Sequence, residues 1–256
     1  MEKWQGKVAI VTGASAGIGA AIAKALVQKG VVVAGLARRI DRIEELSRTL
    51  SMEEAPGKLY GLKCDITKEE DIIKSFKWIT DNVGPVHILV NNAGLIKPTN
   101  LTEGATEEWR KVFDVNVMAL CICTREALKI MRKNKIDGHI IHINNIGAHV
   151  IPCIPREESL MNVYPASKFA VTALTESLRQ ELKILKSRTK VTSISPGIVV
   201  TSEFQKNLGS AASLYYKDGP KIQPIDVAEA VIYSLSTNPN VQVQDLIIRP
   251  LGDATS

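Results

Sequence analysis

Tyr164 and Lys168 stand four residues apart in a stretch whose apolar positions, Phe169, Val171, Leu174, Leu178, Leu182 and Leu185, follow a helical period. On a helix, two side chains four apart leave the same face and reach one site. A phenol with its ordinary pKa of roughly 10 exchanges protons poorly at neutral pH. A neighbouring ammonium stabilises the phenolate and lowers that value, which would suit Tyr164 to general acid/base work. The plain alternative is a surface pair at a helix start, with Pro165 in its first turn. A second cluster, Thr12-Gly13-Ala14-Ser15-Ala16-Gly17-Ile18-Gly19, puts three glycines between an apolar run and a helical pattern. Glycine permits the tight turn and lets the backbone approach a pyrophosphate, which then sits at the positive end of the helix. Glycines alone could serve the turn; the strand before and the helix after them point to a dinucleotide.

The next apolar run ends Leu36-Ala37-Arg38-Arg39, with no carboxylate before Asp41. An acidic residue there would hold the adenosine ribose hydroxyls of NAD. Arginine offers forked donors that match a phosphate instead, so Arg38, helped by Arg39, reads as a clamp for the 2′-phosphate of NADP(H). The competing reading places Arg39 on a solvated helix start with Asp41 and Arg42.

These residues need strands and helices to position them. Short apolar runs at 7–12, 31–37, 59–65, 86–90, 139–143, 191–195 and 246–249 read as strands. Helical periodicity covers 17–29, 41–50, 67–82, 107–133, 164–186 and 226–236. In the third of these, Thr67 with Glu70 three residues on has the form of a capping box. Strands alternating with helices imply parallel pairing through right-handed crossovers. The expected fold is α/β: a single-domain, Rossmann-type doubly wound parallel sheet of about seven strands, helices on both faces, spanning residues 1–256.

Composition sets the outer bounds. The chain has 256 residues, 45% of them hydrophobic and 23% charged, which excludes a disordered or low-complexity chain. Its longest apolar run, residues 31–37, is far short of the roughly 20 residues that span a bilayer. With no secretory signal pattern at its start, the chain is expected in the cytosol. Cys64, Cys121, Cys123 and Cys153 show no framework spacing and read as buried free thiols, with no metal site. His139, His142 and His149 read as structural. A net charge of +5 arises from 32 basic and 27 acidic residues, and the densest basic clusters, 132–135 and 186–190, fall at helix ends, where cations favour the dipole. Nucleic-acid binding has no support.

The glycine loop is written Thr-Gly-x-x-x-Gly-x-Gly rather than G-x-G-x-x-G, and in this form it resembles the short-chain dehydrogenase/reductase family. The resemblance covers essentially the whole chain. Asn91-Asn92-Ala93-Gly94 matches the family's structural motif after strand four, Asn116 its helix asparagine, and Tyr164-Pro165-Ala166-Ser167-Lys168 its Tyr-x-x-x-Lys signature. Pro196-Gly197, with Val199 and Thr201, matches its nicotinamide loop. The stretches 162–168 and 247–252 are most similar to the insect farnesol dehydrogenase-like branch. The resemblance implies an NADP(H)-dependent oxidoreductase in which Tyr164, Lys168 and Asn116 are catalytic. Lys168 would also bind the nicotinamide ribose, and Asn116 would hold a water of the proton relay. Gly13, Ser15, Gly17, Ile18 and Gly19 would cradle the pyrophosphate. Asp65 and Ile66 would meet the adenine, although a helix N-cap region explains them as well. The family also builds a homodimer or homotetramer on its two long helices, here 107–133 and 164–186.

One position departs from the family. Strand five is expected to end Ile-Asn-Ser, the serine bonding the substrate oxygen, but the chain reads Ile143-Asn144-Asn145. An amide can still donate, yet it is larger and reaches further. Asn145 lies 19 residues before Tyr164 (164 − 145), a long interval containing Ser159, a remote substitute donor. Two functions follow: hydride transfer between nicotinamide and an alcohol or carbonyl, or a cofactor-binding protein with impaired catalysis acting as binder or sensor. The substrate pocket is expected between residues 150–163 and 202–219. Phe204, Leu208, Leu214, Tyr215 and Tyr216 there suit an isoprenoid alcohol such as farnesol, or a steroid- or retinoid-like ligand, but equally a packed helix stripe.

Overall fold

Val8–Thr12 (β1), Val32–Ala37 (β2), Lys58–Lys63 (β3), Val86–Asn91 (β4), His139–Ile143 (β5), Lys190–Pro196 (β6) and Asp245–Ile248 (β7) form one sheet of seven strands. This computed structural model describes residues 1–151, 163–202, 206 and 219–253. All neighbours run parallel, in the order β3-β2-β1-β4-β5-β6-β7. The doubly wound sheet expected from the alternation is therefore present. Its strand order reverses between β1 and β4, and a crevice opens there beyond the carboxyl ends of the strands.

Helices cover both faces, and β1, β4, β5 and β6 are buried almost throughout. Gly17–Gln28 (α1), Ile40–Met52 (α2) and Pro224–Ser236 (α7) bury Ile22, Leu26, Ile43, Leu50, Val227 and Val231 against one face. Glu69–Asn82 (α3), Ala119–Lys133 (α5) and Val163–Ile184 (α6) bury Ile72, Phe76, Cys123, Met131, Leu178 and Leu182 against the other. Thr106–Phe113 (α4) leads into α5. Among the described residues no helix is long and apolar enough to cross a membrane.

Four local expectations need correction. Thr67 caps nothing: α3 starts at Glu69 after Lys68. The Thr67 hydroxyl and N–H both donate to Asp65 Oδ1, at 2.8 and 3.1 Å, so the aspartate turn stops the chain becoming helical there. The helix expected over 107–133 is interrupted by a wider π-helical turn, Asp114–Met118, in which Asn116 lies. Lys190 of the second basic cluster is no helix-end cation but sits in β6, its Nζ donating to Thr237 Oγ1 and to the carbonyls of Asn238 and Val241. It thereby closes the chain after α7. Cys64 and Cys123 are buried free thiols, whereas Cys121 is only half-buried; Cys153 lies outside the described residues.

The crevice end of the sheet is held by contact between the glycine loop and β4. Gly13 and Gly17 have φ of +69° and +54°, a region that favours glycine. Gly19 has an ordinary φ, but a Cβ there would collide with Asn92 Nδ2 and the Gly13 carbonyl. Gly19→Ala is therefore expected to destabilise the fold by about 1–3 kcal/mol. Urea denaturation checks it, and a variant as stable as the parent would contradict this packing.

Candidate active site

The site is assembled at the carboxyl ends of β1, β4, β5 and β6. At its centre the Thr12 hydroxyl accepts from the N–H groups of Asn92 and Ala93, each at 3.0 Å, and donates to the Val90 carbonyl at 3.4 Å. Asn92 Nδ2 returns a bond of 2.8 Å to the Thr12 carbonyl. The Asn91–Gly94 motif thus ties β4 to the glycine loop. Asn91 instead faces α5, donating to Thr124 Oγ1 at 2.9 Å.

A dinucleotide fits what surrounds this tie. No side chain caps the first turn of α1, so its N–H groups remain available to an anion. Thr201 stands over this turn, its methyl 3.1 Å from where a Cβ on Gly17 would lie. Ser15 Oγ accepts from Arg39 Nη2 at 3.3 Å, which brings Arg39 to the loop, while Arg38 is exposed. Arg38 acts on Asp65: burial works to raise that carboxyl, but the Thr67 bonds and the charges of Arg38 and Lys68 outweigh it and hold it below its usual range. Ile66 lines a narrow cavity with Ala93, Val115 and Leu120. Gly197 donates to the Ile248 carbonyl at 2.8 Å, and Val199 pairs with Ile222, so the segment from Pro196 to Thr201 is carried by β6.

Tyr164 and Lys168 come together on the first turns of α6. Lys168 Nζ lies 5.7 Å from the centre of the Tyr164 ring and donates to the Ile143 carbonyl at 3.1 Å. Burial lowers the Lys168 pKa to about 8 and pushes the Tyr164 phenol up. The expectation that the ammonium lowers Tyr164 is corrected here: desolvation of the phenolate dominates. At neutral pH the pair is a charged ammonium beside a neutral phenol, suited to giving a proton.

Both ends of the Asn116 side chain are engaged by the protein. Its Oδ1 accepts from the Leu95 N–H at 2.7 Å, and its Nδ2 donates to the Leu95 carbonyl and to Ser167 Oγ, each at 2.9 Å. Ser167 in turn donates to the Tyr164 carbonyl at 2.6 Å, linking the π-helical turn to the first turn of α6. The sequence signal for Ser167 is its place three residues after Tyr164, where a helical serine bonds back to the carbonyl.

Asn145 is half-buried and already engaged. Its Oδ1 accepts from the Gly147 N–H at 2.8 Å, and its Nδ2 donates to the Pro196 carbonyl at 3.3 Å. It caps the short turn Ile146–Ala148 and bridges the ends of β5 and β6, with one amide hydrogen to spare. His149 Nε2 lies 2.8 Å from Ser195 Oγ, and His139 Nε2 2.8 Å from Thr192 Oγ1, as structural histidines do. Among the described residues no His, Cys, Asp and Glu cluster could hold a metal. Ser159, Phe204, Leu208, Leu214, Tyr215 and Tyr216, and with them most of the expected pocket wall, lie outside the described residues.

Comparison with known proteins agrees with this geometry. The family described as short chain dehydrogenase matches residues 7–212. The chain is 46% identical to farnesol dehydrogenase of Aedes aegypti, covering 99% of each. It is also 46% identical to dehydrogenase/reductase SDR family member 11 of Bos taurus, covering all of both. Among solved structures, the closed form of serine dehydrogenase complexed with NADP+ superposes with a TM-score of 0.83 at 28% identity, over 96% of each chain.

The buried ammonium has a thermodynamic signature. With Lys168 near 8 in the fold and about 10.4 unfolded, the unfolded chain binds more protons between these values, so stability rises with pH across that window. Above about pH 10 Tyr164 acts in the opposite sense, since its phenol ionises more readily once unfolded. Relative to Lys168→Met, the parent should gain about 2 kcal/mol from roughly pH 7.5 to 9.5. Denaturant titrations of both proteins measure this; a constant difference would show that Lys168 is not held in a desolvated site.

Proposed function

The chain belongs to the short-chain dehydrogenase/reductase family, and on that premise we propose that it moves a hydride between the nicotinamide of NADP(H) and an alcohol or carbonyl substrate. The observation that carries this reading is the Tyr164 phenol beside the buried Lys168 ammonium, across the crevice from an uncapped helix start and two arginines. When bound, the dinucleotide supplies or accepts the hydride. Arg39 and Arg38 would hold its 2′-phosphate, the N–H groups of α1 and the Ser15 hydroxyl its pyrophosphate, the segment from Pro196 to Thr201 its nicotinamide, and Lys168 its ribose. Tyr164 Oη gives a proton to a carbonyl oxygen, or takes one from an alcohol. Lys168 stabilises the phenolate that remains. Asn116 and Ser167 keep Tyr164 and the Leu95 segment in register.

An apolar alcohol such as farnesol is the substrate class we favour, in keeping with the name of the mosquito relative. The equally similar bovine relative has a name that specifies no substrate, so steroid- or retinoid-like carbonyl compounds belong in the same assay. Residues 1–256 are read as one unit carrying cofactor and substrate sites together. A homodimer or homotetramer built through α5 and α6 is supported by Phe169 on α6 and Leu185 just beyond its end, both of which are exposed. Asn145 favours a second reading, that of a cofactor binder with slow chemistry, because its amide is already bonded to backbone on both sides.

Two measurements test these readings. NADPH is expected to bind more tightly than NADH, and replacing Arg38 or Arg39 by Ala should cost about 1.5–3 kcal/mol for NADPH alone. Equal affinities in a fluorescence titration would end the NADP assignment. Asn145→Ser should raise kcat/KM on farnesol or an aromatic ketone by about one to three orders of magnitude, leaving cofactor affinity nearly unchanged. A serine variant no faster than the parent would mean that Asn145 is a competent donor, and would remove the support for the binder.

A further inference from the structure

Asn91, His142 and Ser193 are registered neighbours on β4, β5 and β6. Each is at most 4% exposed, and each has a buried polar atom with no partner among the described residues: Asn91 Oδ1, His142 Nε2 and Ser193 Oγ. The three belong to the sheet face packed by α5 and α6, one step above the apolar row Leu89, Ile140 and Val191. Three orphan atoms side by side in a row call for a common partner, since a buried polar group left unpaired is costly.

Their chemistry specifies it. Thr175 Oγ1 spends its proton on the Val171 carbonyl at 2.8 Å, so it accepts from His142 Nδ1 at 2.9 Å. The ring therefore carries its proton on Nδ1. Burial, helped by the charge of Lys168, lowers its pKa to about 3, so it stays neutral and Nε2 is a bare acceptor. Asn91 donates its amide to Thr124, leaving Oδ1 as a second acceptor. Two acceptors cannot satisfy one another, and Ser193 has only one proton to give. A single partner that donates twice and accepts once would satisfy all three. Lys168, whose charge already bears on His142, disfavours a cation here.

We propose that Asn91, His142 and Ser193 bind one ordered water between the sheet and α5/α6, and that His142 acts through it as a positioning residue for Lys168. The water donates to Asn91 Oδ1 and His142 Nε2 and accepts from Ser193 Oγ. His142 is then pinned on both sides, by Thr175 and by the water. The next residue is Ile143, whose carbonyl holds Lys168 Nζ, so fixing the ring fixes the acceptor of the ammonium. Lys168 is the one charged group whose influence on His142 is resolved; Asn91, Thr124, Thr175 and Ser193 are neutral.

The experiment has two arms. A crystal structure that resolves ordered solvent should show one water within hydrogen-bonding distance of all three atoms. A dry space, or an Asn91 amide turned to bond His142 directly, would overturn the site. The kinetic arm rests on the proposed hydride-transfer reading, whereas the crystallographic arm does not, so the two can fail separately. His142→Leu removes the ring acceptor; kcat should fall by about an order of magnitude, and the pH limb belonging to Lys168 should move to lower pH as its carbonyl acceptor loosens. His142→Asn, which keeps an acceptor, should restore both. A folded leucine variant with the parental pH profile would overturn the positioning role. Should that variant not fold, Ser193→Ala decides the site: the water should be lost or less ordered, and an unchanged water would count against it.

Discussion

Everything at the crevice depends on one hydroxyl. Thr12 closes β1 by accepting two backbone N–H groups from the end of β4, at the place where the strand order reverses. A topological switch point leaves the two halves of a sheet diverging, with room for a ligand but no neighbouring strand ends to fix its walls. The Thr12 bonds, the return bond from Asn92 and the bare α-carbon of Gly19 supply that fixation. They hold the start of α1 and the segment leading to Asn116 in one frame. Removing the hydroxyl would leave two amides unpaired, a penalty typically larger than the worth of the bonds themselves.

The second constraint is the ammonium taken out of water. Lys168 is 5% exposed and has the Ile143 carbonyl as its hydrogen-bond acceptor. Desolvating a cation is tolerated when surrounding dipoles are arranged for it beforehand. Here they come from a polar seam between β5 and α6, in which Asn144 meets Thr172 and His142 meets Thr175. The same packing that makes Lys168 costly to bury also desolvates the Tyr164 phenol beside it and keeps it neutral.

Alternating apolar runs and helical periods made the sheet readable in the sequence, since each is a local pattern that burial enforces. The glycine loop, the two arginines and the tyrosine–lysine pair were readable for the same reason, their spacing being their geometry. What escaped was set by contacts between distant residues. Asp65 competes for Thr67 and delays α3, and the π-helical turn at Asn116 repeats no pattern that a period of 3.6 would reveal. The rise of the Tyr164 pKa depends on how deeply α6 is buried, which the spacing of Tyr164 and Lys168 does not encode. Asn145 stands out in the sequence as a departure, but its bridge to Pro196 joins residues 51 apart.

The strand order has a consequence for how such a chain is made. Ribosomes deliver residues from the N-terminus, so β1, β2 and β3 emerge together and can pair while the rest is still being synthesised. The glycine loop is then complete in covalent terms but untethered, because its anchors, Asn92 and Ala93, arrive later. Lys168 and its carbonyl acceptor come later still. Contacts so distant in sequence slow folding and leave strand edges open in the meantime. A nascent chain of this design stays unable to grip a nucleotide until its second half has docked, and β1, the first strand made, remains an open edge until β4 reaches it.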